Sequence, residues 1–391
     1  MGIHSESALA KCTPFEAEMR RRLWWPLMFF DTRMAELAGT NTVTLDPTWD
    51  CKMPLNVNDT DLRPELKVPP AVRAEPTDAV FAVVRGELGE YVRHTASRLH
   101  LANPALQPIA KHFNKTLGPD SDHLVKLEKM IEDRYLKFCD QENPIHVMTI
   151  WTTRTLLTKL YLREFNLRLS SPSAPREEAQ YDAAAAYALS MLEYDTKIMT
   201  SLLTKGFVWW NQINFPFPAY YHITQDLRRR PTNTKAERAW DVMSENWEAW
   251  FKVHFSEDSP IFQLFSKLVL QAWEACEAAS RPLGQNLTTP GIVSSIRDSL
   301  LQMSEIAQNP ALERTNITTD IGMNVFPASM QIPATFLDQN SLYNTGIHDD
   351  YTWLRPGMSS TSEVAGRDPA DSQLNQLDWT AYGGSSGWQG Y

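Results

Sequence analysis

Residues 13–39 read TPFEAEMRRRLWWPLMFFDTRMAELAG. The stretch carries the punctuation of one long helix. Thr13 stands where an N-cap belongs, Pro14 takes the first helical position, where its missing N–H costs nothing, and Glu16 completes a capping box. Gly39 supplies the stop. Between them Met19, Leu23, Leu27, Phe30, Met34 and Leu37 recur at three- and four-residue steps, the spacing of an apolar stripe along one helix face. Pro26 falls inside the pattern and predicts a kink, at a cost of about 3 kcal/mol that tertiary packing must offset.

The charged part of the stretch decides between a gripping surface and an internal fastener. Arg20, Arg21 and Arg22 are consecutive, so on a helix they fan over about 200° and cannot share one ligand. At least one leans toward the apolar stripe and needs a carboxylate there, from Asp31 or from elsewhere in the fold. Trp24 and Trp25 diverge by about 100°, so one enters the core while the other packs on a neighbouring helix or an arginine stem. An architectural role is favoured over ligand contact.

Outward from this helix, further helical periodicity covers about 77–101, 121–139, 144–169, 176–204, 207–230, 234–255, 259–281 and 290–307. In the 234–255 stretch Trp240, Met243, Trp247, Trp250 and His254 line one face. No segment alternates β-branched residues with period two, so the expected fold class is all-α, without a sheet. The proline- and Asx-rich run LDPTWDCKMPLNVNDTDLRPELKVPP is a loop long enough to require packing by its own anchors, among them Trp49, Met53 and Leu55. From Glu305 onward there are ten acids, three arginines and no lysine, so this tail holds seven of the ten net negative charges of the 391-residue chain. The expected organisation is a helical domain over 1–304 and a disordered acidic tail over 305–391. Within the tail, Asp349, Asp350, Trp353 and Leu354, then Leu377, Asp378 and Trp379, set acids beside large apolar side chains, the composition of an activation segment.

The net charge of −10 argues against a surface built on phosphate contacts. Cys12, Cys51, Cys139 and Cys276 are widely separated and show no metal-ligand spacing, so neither a zinc site nor a disulfide framework is expected, and the usage fits a reducing compartment. No apolar run reaches the ~20 residues that span a bilayer, and the first dozen residues lack the apolar core of a leader.

Several coupled motifs then resemble one family. MGIHSE, PFEAEMRRRLWWPLMFFDTRMAELAG and WDCKMPLNVNDTDLRPE, in that order, resemble the fungal-specific transcription factor domain, the regulatory middle region of Zn2Cys6 binuclear-cluster proteins. The matching positions are Gly2 and His4, then Glu18, Arg20, Arg21, Arg22, Trp24, Trp25 and Asp31, then Pro54, Asn56, Asp59, Asp61 and Leu62. A looser echo runs from Tyr220 to Trp240, and the tail matches nothing specific. The resemblance implies a nuclear regulator of RNA polymerase II transcription that is not an enzyme, with partners in the transcription machinery and room for a homodimer. It also implies an N-terminal six-cysteine module that holds zinc and contacts DNA. Neither that module nor its coiled-coil linker is in this sequence, so no cofactor is expected in the chain itself, and the reading begins as if at an internal methionine, through a truncated gene reading or as a natural remnant.

Other candidates have weaker patterns. The acids of Asn56–Asp61 suggest a divalent-metal loop, but Asx residues in turns bond their own backbone more often. Phe207, Trp209, Trp210, Phe215, Phe217, Tyr220 and Tyr221 suggest either a pocket or core, with core favoured. Arg228–Arg230 with Lys235 and Arg238 reads as an import patch or, preferentially, a solvated helix end. His146, His222 and His254 are isolated, and no phosphate loop or nucleophile elbow occurs. Two rivals stand beside the regulator: an all-α, terpene cyclase-like enzyme holding magnesium through Asp349–Asp350 or Asp59/Asp61, and a DNA-free decoy that pairs with a full-length relative.

Overall fold

Helix is the only extended regular structure among the described residues, as the all-α expectation requires, and no strand occurs among them. The computed structural model describes residues 2–38, 49–94, 120–169, 178–212, 214–254, 260–284 and 286–308. Gly39 and residues 309–391, which carry Asp349, Asp350, Trp353, Leu354, Leu377, Asp378 and Trp379, lie outside the described residues.

The helices in chain order are α1 (Glu6–Leu9), α2 (Pro14–Ala38), α3 (Val80–His94), α4 (Asp120–Arg134), α5 (Pro144–Leu169) and α6 (Glu178–Thr200). After them come α7 (Val208–Gln212), α8 (Phe217–Arg229), α9 (Ala236–His254), α10 (Pro260–Ser280) and α11 (Gly291–Gln308). None is long and apolar enough to cross a membrane among the described residues.

Three clusters of buried side chains organise them. The largest joins α6, α8, α9, α10 and α11 through Leu192, Tyr220, Trp240, Met243, Phe265, Trp273 and Ile296. A second joins α3 and α4 to the first half of α5 through Val84, Leu88, Ile131, Ile150 and Leu157. Helix α5 serves both, because Leu162 in its second half enters the large cluster. It lies along α6, with Tyr161 stacked on Tyr187 at 4.6 Å between ring centroids and Trp151 on Tyr194 at 5.7 Å. The third cluster gathers Leu9 of α1, Ala17, Trp25 and Met28 of α2, and Trp49 and Cys51 of the loop.

Helix α2 forms half of the expected capping box: the Thr13 hydroxyl accepts from the Glu16 N–H at 3.2 Å, satisfying one orphan donor of the first turn, while the Glu16 carboxylate turns to Arg20 instead of the Thr13 N–H. The helix then continues through Pro26 to Ala38. The described part of its apolar stripe, however, does not face the core. Met19, Leu23, Leu27 and Phe30 are 45–51% exposed, while Ala17, Glu18, Trp25 and Met28 are buried. The buried face is selected by the bulk of Trp25 and by the partners of Glu18, neither of which an apolar periodicity counts. Where α2 meets α3, Gly89 makes the approach possible: a Cβ there would stand 2.6 Å from Phe29 Cζ and 2.9 Å from Trp25 Cζ3.

The single helix expected over 207–230 is two. Pro216 disfavours helical backbone at Phe215, so α7 ends at Gln212 ahead of it, and α8 begins at Phe217 with Pro218 in its first turn, where a missing N–H costs nothing. The short α1 had no periodicity to reveal it. On α9, Trp240, Met243, Trp247 and Trp250 are buried together as expected, and the His254 side chain lies outside the described residues.

Candidate functional site

The three arginines of α2 point in three directions, and each meets a carboxylate. Arg20 donates to Glu16 one turn back at 2.6 Å. Arg21 grips Glu6 of α1 with both Nε and Nη2, at 2.9 and 2.7 Å. Arg22 donates to Glu18 at 3.2 Å, to Asp59 at 2.6 Å and to the Val57 carbonyl at 3.3 Å. The acids against the arginines are thus Glu6, Glu16, Glu18 and Asp59, and Asp31 sits half-buried farther along α2.

Glu18 is the centre of this arrangement. It is fully buried, its Oε1 accepts from the Leu55 N–H at 3.0 Å as well as from Arg22, and Arg21 lies 3.9 Å from Oε2. Burial pushes its carboxyl above the usual range against the pull of the Leu55 amide and the two guanidinium groups. Glu6 moves the other way: the Arg21 fork holds it low, and its Oε1 also accepts from the Lys52 N–H at 2.8 Å. Two acids, Glu6 on α1 and Glu18 on α2, therefore collect backbone donors from the same loop.

The tryptophans complete the fastening. Trp25 is buried and donates its indole N–H to the Lys52 carbonyl at 2.9 Å. Trp49 stands edge-on to both Trp25 and Trp24, at 5.4 and 5.5 Å, and Trp24 also meets His4 at 5.8 Å. Cys51 beside them has its thiol pushed up to about 12 by burial, so it holds its proton and does not act as a nucleophile at neutral pH.

The acidic loop is a turn built on its own side chains. Asn56 is buried and donates to the carbonyls of Arg73 and Glu75 at 2.9 and 2.8 Å, while its Oδ1 accepts from Thr77. Asn58 caps the 3-10 turn Asp59–Asp61 reciprocally with Asp61. Asp61 is gripped by Arg73 at 2.9 and 3.0 Å, and Asp59 by Arg22. Both carboxylates are engaged by arginines, and among the described residues no group of three or more acid, cysteine or histidine side chains could hold a metal. The signature residues Glu18, Arg21, Arg22, Trp24, Trp25, Asn56, Asp59 and Asp61 are thus brought into one continuous network of α1, α2 and the loop.

This network covers the part of the sequence where the motifs crowd, and the comparisons extend over nearly all of it. The chain is 41% identical over 389 residues to the transcriptional regulator AacuB of Aspergillus aculeatus, which takes in 97% of this chain and 52% of that protein. The chain is similar to fungal transcriptional regulators. The transcriptional regulator nsrM of Aspergillus novofumigatus is 38% identical over 385 residues, 97% of this chain and 51% of the relative. The aurofusarin cluster transcription factor aurR2 of Gibberella zeae is 25% identical over 332 residues, 84% of this chain and 48% of the relative. The chain spans about half the length of these relatives. No protein-family model matches it. No solved structure matches it.

Sequence reasoning missed a second buried polar centre. Asp195 on α6 is 1% exposed and accepts from Asn211 at 3.1 Å, from Asn246 at 2.9 Å and from the Trp250 indole N–H. Tyr220 donates to the Oδ1 of Asn246 at 2.8 Å. Desolvation raises the Asp195 carboxyl to about 6, opposed by its three donors. The aromatic run splits around this centre. Phe215 and Tyr220 stack in the core, whereas Trp209 is 63% exposed and Trp210 packs beside α3. The basic group at the end of α8 is not a freely solvated end: Arg230 joins Asp226 to Asp182 of α6, and Lys235 and Arg238 pair with Asp182 and Glu193. His146 accepts from the Asp140 N–H at 2.9 Å, and burial lowers His222 to about 4, which makes His222 a weak base at neutral pH.

Proposed function

We propose that the chain is the regulatory part of a fungal Zn2Cys6-type transcription factor that acts in the nucleus on RNA polymerase II transcription. In this reading it is not an enzyme, and zinc and DNA contacts belong to a module outside these 391 residues. The acidic–apolar segments around Asp349–Leu354 and Leu377–Trp379 recruit protein partners of the transcription machinery, and homodimers are a compatible assembly. The observation that carries the reading is the likeness to AacuB along 97% of the chain. The network at the amino end gives it a physical role: it fixes the loop over 49–62 to α2, so the surface offered to partners is set by packing. Magnesium chemistry finds little footing by comparison, since Asp59 and Asp61 each face an arginine.

A reporter assay tests the proposal. The whole chain is fused to an unrelated DNA-binding module, and output is compared with a fusion carrying alanine at Asp349, Asp350, Trp353, Leu354, Leu377, Asp378 and Trp379. Activation by the first and a several-fold loss in the second is expected. A silent fusion, or equal output from both at equal protein levels, contradicts it.

A further inference from the structure

Residues 228–232 read RRRPT, and nowhere else in the chain do two arginines stand three and two residues ahead of a serine or threonine. The structure puts this stretch at the end of α8. Arg230 is the C-cap, with φ −130° and ψ 62°, already outside the helix, and Pro231 after it cannot continue the helix. The Asn233 N–H bonds back to the Arg230 carbonyl at 3.0 Å, which makes residues 230–233 a turn with Pro231 and Thr232 at its centre. Thr232 is exposed there, and its hydroxyl has no hydrogen-bond partner among the described residues.

The arginines differ in what they are free to do. Arg230 is taken: it holds Asp226 at 2.7 Å and Asp182 at 2.6 Å, and Lys235 reaches Asp182 as well, at 3.7 Å. Arg229 is not. It is exposed, its guanidinium carbon lies 5.3 Å from the Tyr181 ring centroid, and it forms no ion pair among the described residues. An uncommitted guanidinium three residues ahead of an unbonded hydroxyl is the charge pattern selected by an enzyme that reads its protein substrates through acidic subsites. Two other exposed threonines give the contrast: Thr288 and Thr289 lie in the irregular segment ahead of α11, with no basic residue among the six positions before Thr288.

We propose that Thr232 is a phosphorylation site for an arginine-directed serine/threonine kinase, with ATP as the phosphoryl donor. The Thr232 Oγ attacks the γ-phosphorus as the bond from that phosphorus to the β–γ bridging oxygen breaks; ADP leaves, and the hydroxyl proton passes to the kinase's carboxylate base. The segment that must open to enter a kinase groove is small: the turn bond at Asn233 and the last turn of α8, the part of a helix that frays first. The product brings close to two negative charges to the turn that Arg230 and Lys235 tie to Asp182 of α6, so the modification lands on an interhelical charge network. Phosphate transfer to Thr232 is independent of the transcriptional reading and is tested without it.

The test incubates the full folded chain with magnesium ATP and the catalytic subunit of cyclic AMP-dependent protein kinase, an enzyme of that specificity, and maps the phosphate by mass spectrometry. Incorporation at Thr232 is expected, with Thr234, Thr288 and Thr289 left unmodified. Thr232→Val should remove the incorporation at the turn, and Thr232→Ser should keep it. Arg229→Gln should slow transfer at least about tenfold, the scale of one lost charge-assisted contact to the kinase. Arg238→Gln, which removes a cation beyond the turn, should leave the rate unchanged. Absence of phosphate at Thr232, incorporation there only after thermal unfolding, or an unchanged rate in Arg229→Gln overturns the proposal. If Arg229→Gln does not fold, selectivity within the unaltered chain decides, and equal modification of Thr232, Thr234, Thr288 and Thr289 overturns it too.

Discussion

Glu18 in the amino-terminal network and Asp195 in the large aromatic core are both sequestered from water, yet they are stabilised by different means. Glu18 has two guanidinium groups and a backbone amide around it, so its charge is answered by charge. Asp195 has two carboxamides and an indole, all neutral. The first arrangement ties chain segments far apart in sequence to one helix, and its partners sit near the surface. The second unites α6, α7 and α9 within the core; burial raises the pKa of both carboxylates, opposed by guanidinium groups at Glu18 and by neutral donors alone at Asp195. Ion pairs therefore fasten the amino-terminal end, and ring packing with a neutral hydrogen-bond network holds the body.

Breaking each region should separate them. The largest effect is expected from Trp25→Ala, which removes a fully buried ring and the donor to Lys52; a loss of about 3–5 kcal/mol in denaturant unfolding follows from such truncations. A loss below 1 kcal/mol would mean the ring is not the anchor described.

Asp195 gives a pH signature. Its folded pKa of about 6 exceeds the unfolded value of about 3.9, so the folded state binds the proton more readily, and stability should rise as pH falls from 7 toward 4.5. About 2 kcal/mol is the scale of the gain over that window. Below that window Glu6, whose pKa is lowered, works in the opposite direction as its pair with Arg21 is lost. Thermal melts of Asp195→Asn against the unaltered chain across pH 4.5–7 isolate the Asp195 contribution, because the buried Glu18 is common to both. Identical pH profiles would refute it.

Smaller changes sharpen the same contrast. Gly89→Ala forces a methyl group against Phe29 and Trp25, and about 1–3 kcal/mol of destabilisation is expected from such overpacking. At the other extreme, Leu23→Ser with Leu27→Ser should change stability by no more than about 0.5 kcal/mol per site, because both side chains are half exposed. A large loss there would put the buried face of α2 where its apolar stripe first suggested.

That stripe shows where sequence reading has limits. The helix itself, its Thr13 cap and its arginine fan were legible because they depend on residues within a few positions of one another. Its orientation was not, since the buried face is chosen by Lys52, Leu55, Asp59 and Gly89, which lie outside the helix. The helical class and the aromatic face of α9 were legible from periodicity alone. The Asp195 centre was not, because Asn211, Tyr220, Asn246 and Trp250 are polar or amphipathic residues scattered over three elements with no common spacing. The split of α7 from α8 was present in the two prolines of Asn214–Pro218, and was overridden by the aromatic pattern around them.

The account rests on the claim that the loop is bolted to α2 by charge and indole together. Amide hydrogen exchange at Lys52 and Leu55 tests it most directly, since these N–H groups donate to Glu6 and Glu18. Slow exchange in the unaltered chain is predicted, with protection lost at Lys52 in Arg21→Ala and at Leu55 in Arg22→Ala while the amides of α9 stay protected. Fast exchange at Lys52 and Leu55 in the unaltered chain would contradict it.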